Sequence, residues 1–155
     1  MGLDMYLHRK AYVGGNYEHN AVSGCIDIIR KGKKLAVDLK KVVYIEEFIG
    51  YWRKANQIHN WFVNNIQNGI DNCREYYVGI DKLRELKSLC EQILGGKSEE
   101  ERKALAEELL PPQSGFFFGD TDIDEYYFQD LKDTIDIIGE CEQYAEDDFV
   151  YTSSW

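Results

Sequence analysis

The chain opens on an alternation. Leu3, Met5 and Leu7 are apolar, with Asp4, Tyr6 and His8 between and after them, the period-two pattern of a half-buried strand that Gly14-Gly15-Asn16 then breaks. From Cys25 to Leu39 the stretch CIDIIRKGKKLAVDL joins two β-rich runs at Lys31-Gly32, where glycine supplies the positive φ of a tight hairpin turn. Between Val43 and Ile66 the period becomes helical, with Ile45, Phe48, Ile49, Trp52, Ala55, Phe62, Val63 and Ile66 recurring three or four residues apart. Tyr44, Tyr51 and Ile58 widen that arc, which predicts a central helix packed on more than one side and ended by Asn68-Gly69.

Glu75 to Val78 reads as a short strand. Asp81 then caps a helix with a stripe of Leu83, Leu86, Leu89, Cys90 and Ile93, stopped by Gly95-Gly96. Ser98 and Glu101 form a capping box for a third helix, polar except for Ala104, Leu105, Leu109 and Leu110, which Pro111-Pro112 terminates. QSGFFFG follows, an apolar run bracketed by glycines that suits a buried strand or a tight loop. Thr121 and the acidic residues behind it open another helix with Tyr127, Leu131, Ile135, Ile138 and Cys141 on its inner face. The tail DDFVYTSSW is β-forming and suggests a last strand. These elements compose one α+β domain over residues 1–155. In it a small, mostly antiparallel sheet (N-terminal strand, hairpin, C-terminal strand) packs with the central buried helix and two to three further helices.

Composition narrows the function classes. At 44% apolar and 14% aromatic residues, the chain is rich enough to bury a core. Its net charge of −10, from 28 acidic and 18 basic side chains, disfavours nonspecific nucleic-acid and anionic-membrane binding. A local anion site remains open, because a few well-placed cations or backbone N–H groups hold a phosphate on an acidic protein. The four cysteines are scattered without a CxxC pair and read as reduced, mostly buried thiols. MGLDMYLHRK has no apolar signal core, and no 18-residue apolar run occurs, so a cytoplasmic protein is expected.

Candidate chemistry gathers on the predicted central helix, YWRKANQIHNWF. A helical projection puts Glu46, Arg53, Asn56, Gln57, Asn60 and Asn64 along one edge and His59 inside the apolar arc. His59 has two readings: a core histidine hydrogen-bonded to a carbonyl or carboxylate, or one lining a pocket beside Trp52, Arg53 and Asn56. The second suits a nucleotide. Tyr or Trp stacks on a base, Asn pairs with an adenine-type edge, and Arg or Lys meets phosphate. Tyr51 and Trp61 are the candidate stacking groups, Arg53, Lys54, Asn56, His59 and Asn60 the polar ones, and Ser114 adds a Gly-flanked turn that an anion can approach.

Asp120, Asp122 and Asp124 resemble the start of a calcium loop, but Glu125 and Leu131 occupy its glycine and bidentate-glutamate positions, so neither metal nor cofactor is expected. There is no GxSxG elbow, HExxH or Cys-His-Asn signature, and only His8, His19 and His59 offer imidazoles, which leaves turnover the less supported reading.

Taken together, GLDMYL, YWRKANQIHNWF, EYYV, LLPPQSGFFFG with DEYYF, and the terminal SSW resemble a family of small accessory proteins encoded by tailed bacteriophages and prophages, over almost the whole chain. The resemblance implies a protein made in the cytoplasm of the infected bacterial host and directed at host defence. Small phage proteins of this kind include homo-oligomeric sponges that trap cyclic or ADP-ribose-derived nucleotide signals in pockets near subunit contacts. The function expected is therefore sequestration of a nucleotide immune signal. The alternatives are an acidic protein-binding inhibitor or DNA mimic, with Asp120 to Asp148 imitating phosphates, and an enzyme degrading such a signal.

Overall fold

The structure is a computed structural model that describes residues 2–15 and 23–155; the expected break at Asn16 and the imidazole of His19 lie outside these residues. The fold is α+β. A four-stranded, wholly antiparallel sheet has the order β4-β1-β6-β5, from β1 (Asp4–Tyr12), β4 (Tyr44–Arg53), β5 (Tyr76–Val78) and β6 (Asp148–Ser154). β2 (Ile28–Arg30) and β3 (Lys33–Leu35) form the expected hairpin, with Lys31 and Gly32 at φ 51° and 74° in the turn. The hairpin is a separate two-stranded sheet in the arm between β1 and β4 rather than part of the main sheet.

The helix predicted from Val43 to Ile66 is corrected: its first half is the edge strand β4, and only α1 (Asn56–Asn65) is helical. A bulge explains the misleading period. The pairing of β1 with β4 shifts between Leu7 and His8, where Leu7 faces Gly50 but His8 faces Phe48, so Ile49 is an extra residue. Pairing places Ile45 opposite Ala11 and Trp52 opposite Met5 on one face but Phe48 opposite His8 on the other, so apolar residues drawn from both faces, offset by the extra residue, imitate a helix. Glu46 and Arg53 therefore do not share a helical edge with Asn56 and Asn60. The strand also resolves Gly50: a Cβ there would lie 2.5 Å from Cγ2 of Ile137, so glycine is what allows the fourth helix to approach the sheet.

The remaining helices are α2 (Ile80–Leu94), α3 (Glu99–Leu109) and α4 (Glu125–Cys141). Ser98 caps α3 by accepting from the Glu101 amide at 3.1 Å. Asp124 caps α4, accepting from the amides of Tyr126 (2.9 Å) and Tyr127 (3.1 Å) three residues beyond the expected opening at Thr121. QSGFFFG is a loop without strand pairing, with Phe118 buried and Phe116 94% exposed. The core joins Leu3, just before β1, with Met5 and Leu7 of β1 and Trp52 of β4 to Phe149 and Tyr151 of β6, covered by Phe62 of α1 and the inner stripes of α2 and α4. Phe62 stacks on Tyr151 with centroids 3.8 Å apart. Cys90 and Cys141 are buried, and burial raises both thiols to about 12, whereas Cys25 and Cys73 are exposed, not buried as expected. No helix among the described residues is long and apolar enough to cross a membrane.

Candidate functional site

A cleft lies where β4 turns into α1. Lys54 makes that turn in the left-handed region, at φ 62°, a conformation that strains a side chain other than glycine. Its amide donates to Leu3 O (2.8 Å) and its carbonyl accepts from the Asn56 amide (2.8 Å), so β1 holds the turn in place. Opposite, Gly119 at φ 90° closes on Lys54, and a Cβ on it would come 3.4 Å from the Lys54 Cβ. Asn56 fastens the loop that floors the cleft: Nδ2 donates to Phe118 O (3.2 Å) and Asp120 O (2.7 Å), and Oδ1 accepts from the Gln113 amide (3.0 Å).

The cleft has a volume of about 410 Å³, inside the ~300–1,000 Å³ range of small-molecule sites. Arg53, Lys54 and Gln57 from the β4–α1 turn line it together with Asp120, Asp122, Asp124 and Asp130 from the loop before α4 and α4 itself, with Tyr126 at 73% exposure. Burial raises the Asp130 carboxyl to about 6; Gln57, whose Nε2 donates to it at 3.0 Å, opposes the rise, and Asp133 and Asp124 add to it. The site thus carries two cations, of which Arg53 also approaches Asp4 outside the cleft at 3.9 Å, and four carboxyls, one of them raised to about 6. Among the described residues, no three His, Cys, Asp or Glu side chains gather to hold a metal.

The sequence-predicted site residues divide. Arg53, Lys54 and Asn56 meet at the cleft, although both amide hydrogens of Asn56 already serve the loop and none is left for an adenine edge. Tyr51 projects from the sheet's open face and donates to Asp4, a bond that, ahead of burial, raises its phenol. Asn60 donates to Pro111 O (3.2 Å), Trp61 is buried edge-on to Phe62, and Ser114 is exposed in its loop away from the cleft lining.

His59 is fully buried. Its Nδ1 lies 2.7 Å from Tyr151 Oη and its Nε2 2.9 Å from Asp71 Oδ2. Burial first, and then the Asp71 charge, keep the Tyr151 phenol well above its ordinary value, so Tyr151 O–H donates to Nδ1 and Nε2–H donates to Asp71. Asp71 also accepts from Trp155 Nε1 at 3.0 Å, tying the final residue to the same network. This is the core-histidine reading of His59. Asp130 and Tyr126 are the cleft residues that periodicity hides, while Gln57 stands on the projected polar edge without being a candidate ligand: Asp130 adjoins the inner stripe of α4 between Tyr127 and Leu131, and its role depends on contact with α1. No known protein family, curated protein or solved structure matches the chain.

Proposed function

We propose that the protein binds a nucleotide-derived signal, a cyclic nucleotide or an ADP-ribose derivative, in the cleft between the β4–α1 turn and α4, and sequesters it without turnover. One observation carries this reading: Arg53 and Lys54 line the same cleft as Asp120, Asp122, Asp124 and Asp130. A phosphate suits the cations, while ribose hydroxyls and a base amino group suit the carboxylate and amide acceptors. A ligand with only one of these kinds of group leaves half the cleft unpaired. The exposed Tyr126 supplies a stacking face. The left-handed Lys54 supports the reading, since strain of this sort collects where a side chain must be aimed. The resemblance to phage accessory proteins supports an immune signal as ligand, the host cytoplasm as the place of action, and a homo-oligomer.

Calorimetric titration with cyclic nucleotides and ADP-ribose derivatives tests it. One class should bind, Arg53→Glu should weaken it at least about tenfold, and the ligand should be recovered unchanged from the heat-denatured complex. A chemically altered ligand would make the protein an enzyme; absence of heat across the panel would sink the proposal.

The second reading, an acidic inhibitor of a host protein, is favoured by the exposed Glu125, Asp133, Asp136 and Glu140 along α4, against which Lys132 is that helix's one cation. Charge reversal there would then abolish anti-defence activity while Arg53→Glu left it intact.

A further inference from the structure

Charge is distributed unevenly along this chain. Residues 23–43, the described part of the arm between β1 and β4 except for Val13 to Gly15, hold six of the 18 basic side chains but two of the 28 acidic ones. That leaves +4 on this segment and −14 on the rest of the protein. Asp27 pairs with Lys34 (2.6 Å) and Asp38 with Lys41 (3.7 Å), whereas Arg30, Lys31, Lys33 and Lys40 make no ion pair among the described residues. The arm is apolar as well as basic. Ile29 is 73% exposed, and Ile28, Leu39 and Val43 are also exposed, in a segment with no fully buried residue. A detached hairpin of this kind gains nothing from such exposed residues in an isolated monomer.

We infer that the arm docks on the acidic ridge of α4 in a second copy of this chain. Glu125, Asp133, Asp136 and Glu140 recur along the solvent side of α4, all exposed and without an ion pair among the described residues. Tyr126 stands beside them as an exposed apolar surface for Ile28 and Ile29. The arm's own ridge is not its seat, since the arm leaves the sheet beyond Tyr12 and Tyr44 and its residues stay exposed. The head of α4 lies at the opposite, Arg53 end of a nine-residue strand, a span of about 27 Å. Two copies placed antiparallel bring each arm to the other's ridge, giving two equal contacts and a closed two-fold dimer. A second copy is favoured over a nucleic acid because the −14 body repels a polyanion while offering the arm its complement. Charge sets the orientation, and burial of Ile28 and Ile29 supplies affinity. The pairing does not require a nucleotide in the cleft.

A charge swap tests the inference by sedimentation velocity. The wild type should be dimeric at ~0.05 M salt and dissociate as salt approaches ~0.5 M. Arg30→Glu, Lys31→Glu and Lys33→Glu together should weaken the dimer at least about tenfold, and Glu125→Lys, Asp133→Lys and Asp136→Lys should do the same. Mixing the two variants should restore a heterodimer, because both arm–ridge contacts are then of opposite sign; this also shows that both variants are folded. A monomeric wild type at low salt, or a mixture that stays monomeric, overturns the inference. So does an arm that binds a single-stranded oligonucleotide in place of a second copy.

Discussion

Asp130→Asn exchanges the half-buried carboxyl of the cleft wall for an uncharged group of the same shape, and its effect can be worked from the site. Burial lifts the carboxyl from 3.8 to about 6, and a rise of about two units is worth about 3 kcal/mol at ~1.36 kcal/mol per unit. Because the folded value lies above the unfolded one, the contribution of Asp130 to stability is fully present below about pH 4 and is lost as pH rises through about 6. The asparagine has no charge to strand, and its oxygen can still accept from Gln57 Nε2, now 3.0 Å from Oδ2. The stability of the variant relative to wild type should therefore rise by up to about 3 kcal/mol between about pH 4 and about pH 8. Urea denaturation followed by tryptophan fluorescence across that range measures the difference, with carboxyls far from the site cancelling between the two proteins. A difference that is flat with pH, or that falls as pH rises, would refute burial as the cause of the raised value. The variant should also lose affinity for a ligand that donates to this carboxylate, so calorimetry on the same protein separates what Asp130 costs the fold from what it gives the cleft.

Three further outcomes follow from particular contacts. Lys54→Gly relieves a left-handed backbone and should raise stability by about 0.5–1 kcal/mol while weakening ligand binding, read by a thermal melt and a titration. Tyr151→Phe leaves His59 Nδ1 without its donor in the core, and should cost about 1–3 kcal/mol in urea denaturation with the fold retained. Gly50→Ala forces a methyl to within 2.5 Å of the Ile137 Cγ2 and should cost about 1–3 kcal/mol, with Ile137→Ala recovering part of the loss in the double variant.

Local rules made much of the fold legible. Alternation marked β1, Lys31-Gly32 marked the hairpin, and Ser98 with Glu101 marked the start of α3, each because the deciding interaction lies within a few residues. The failure from Val43 to Arg53 has a local look but a distant cause. The bulge at Ile49 exists because β1 pairs with β4 on both sides of it, and Gly50 faces inward because Ile137 packs there. Neither partner is near in sequence, so the apolar spacing alone fits a helix better than a strand. The same distance explains the cleft: Arg53, Lys54 and Asn56 could be named from one stretch, but the acids that line it with them come from Asp120 to Asp130.

His59 of α1 and Asp130 of α4 show why the more conspicuous residue was the weaker guide to the site. His59 stands out in sequence because an imidazole interrupts an apolar arc, yet its ring nitrogens both find partners, Tyr151 and Asp71, and it is sealed from solvent. A buried group so fully satisfied is a structural pin. Asp130 is inconspicuous among the acidic residues of α4, but it retains an unfavourable burial that one amide donor does not offset, at the wall of an open cleft. A carboxyl held against its own solvation is a position where a donor from outside lowers the free energy most, because it supplies the partner that the fold withholds. The cleft is thus marked less by its cations, Lys54 being exposed and Arg53 lying 3.9 Å from Asp4, than by the one acid whose burial its own contacts do not offset.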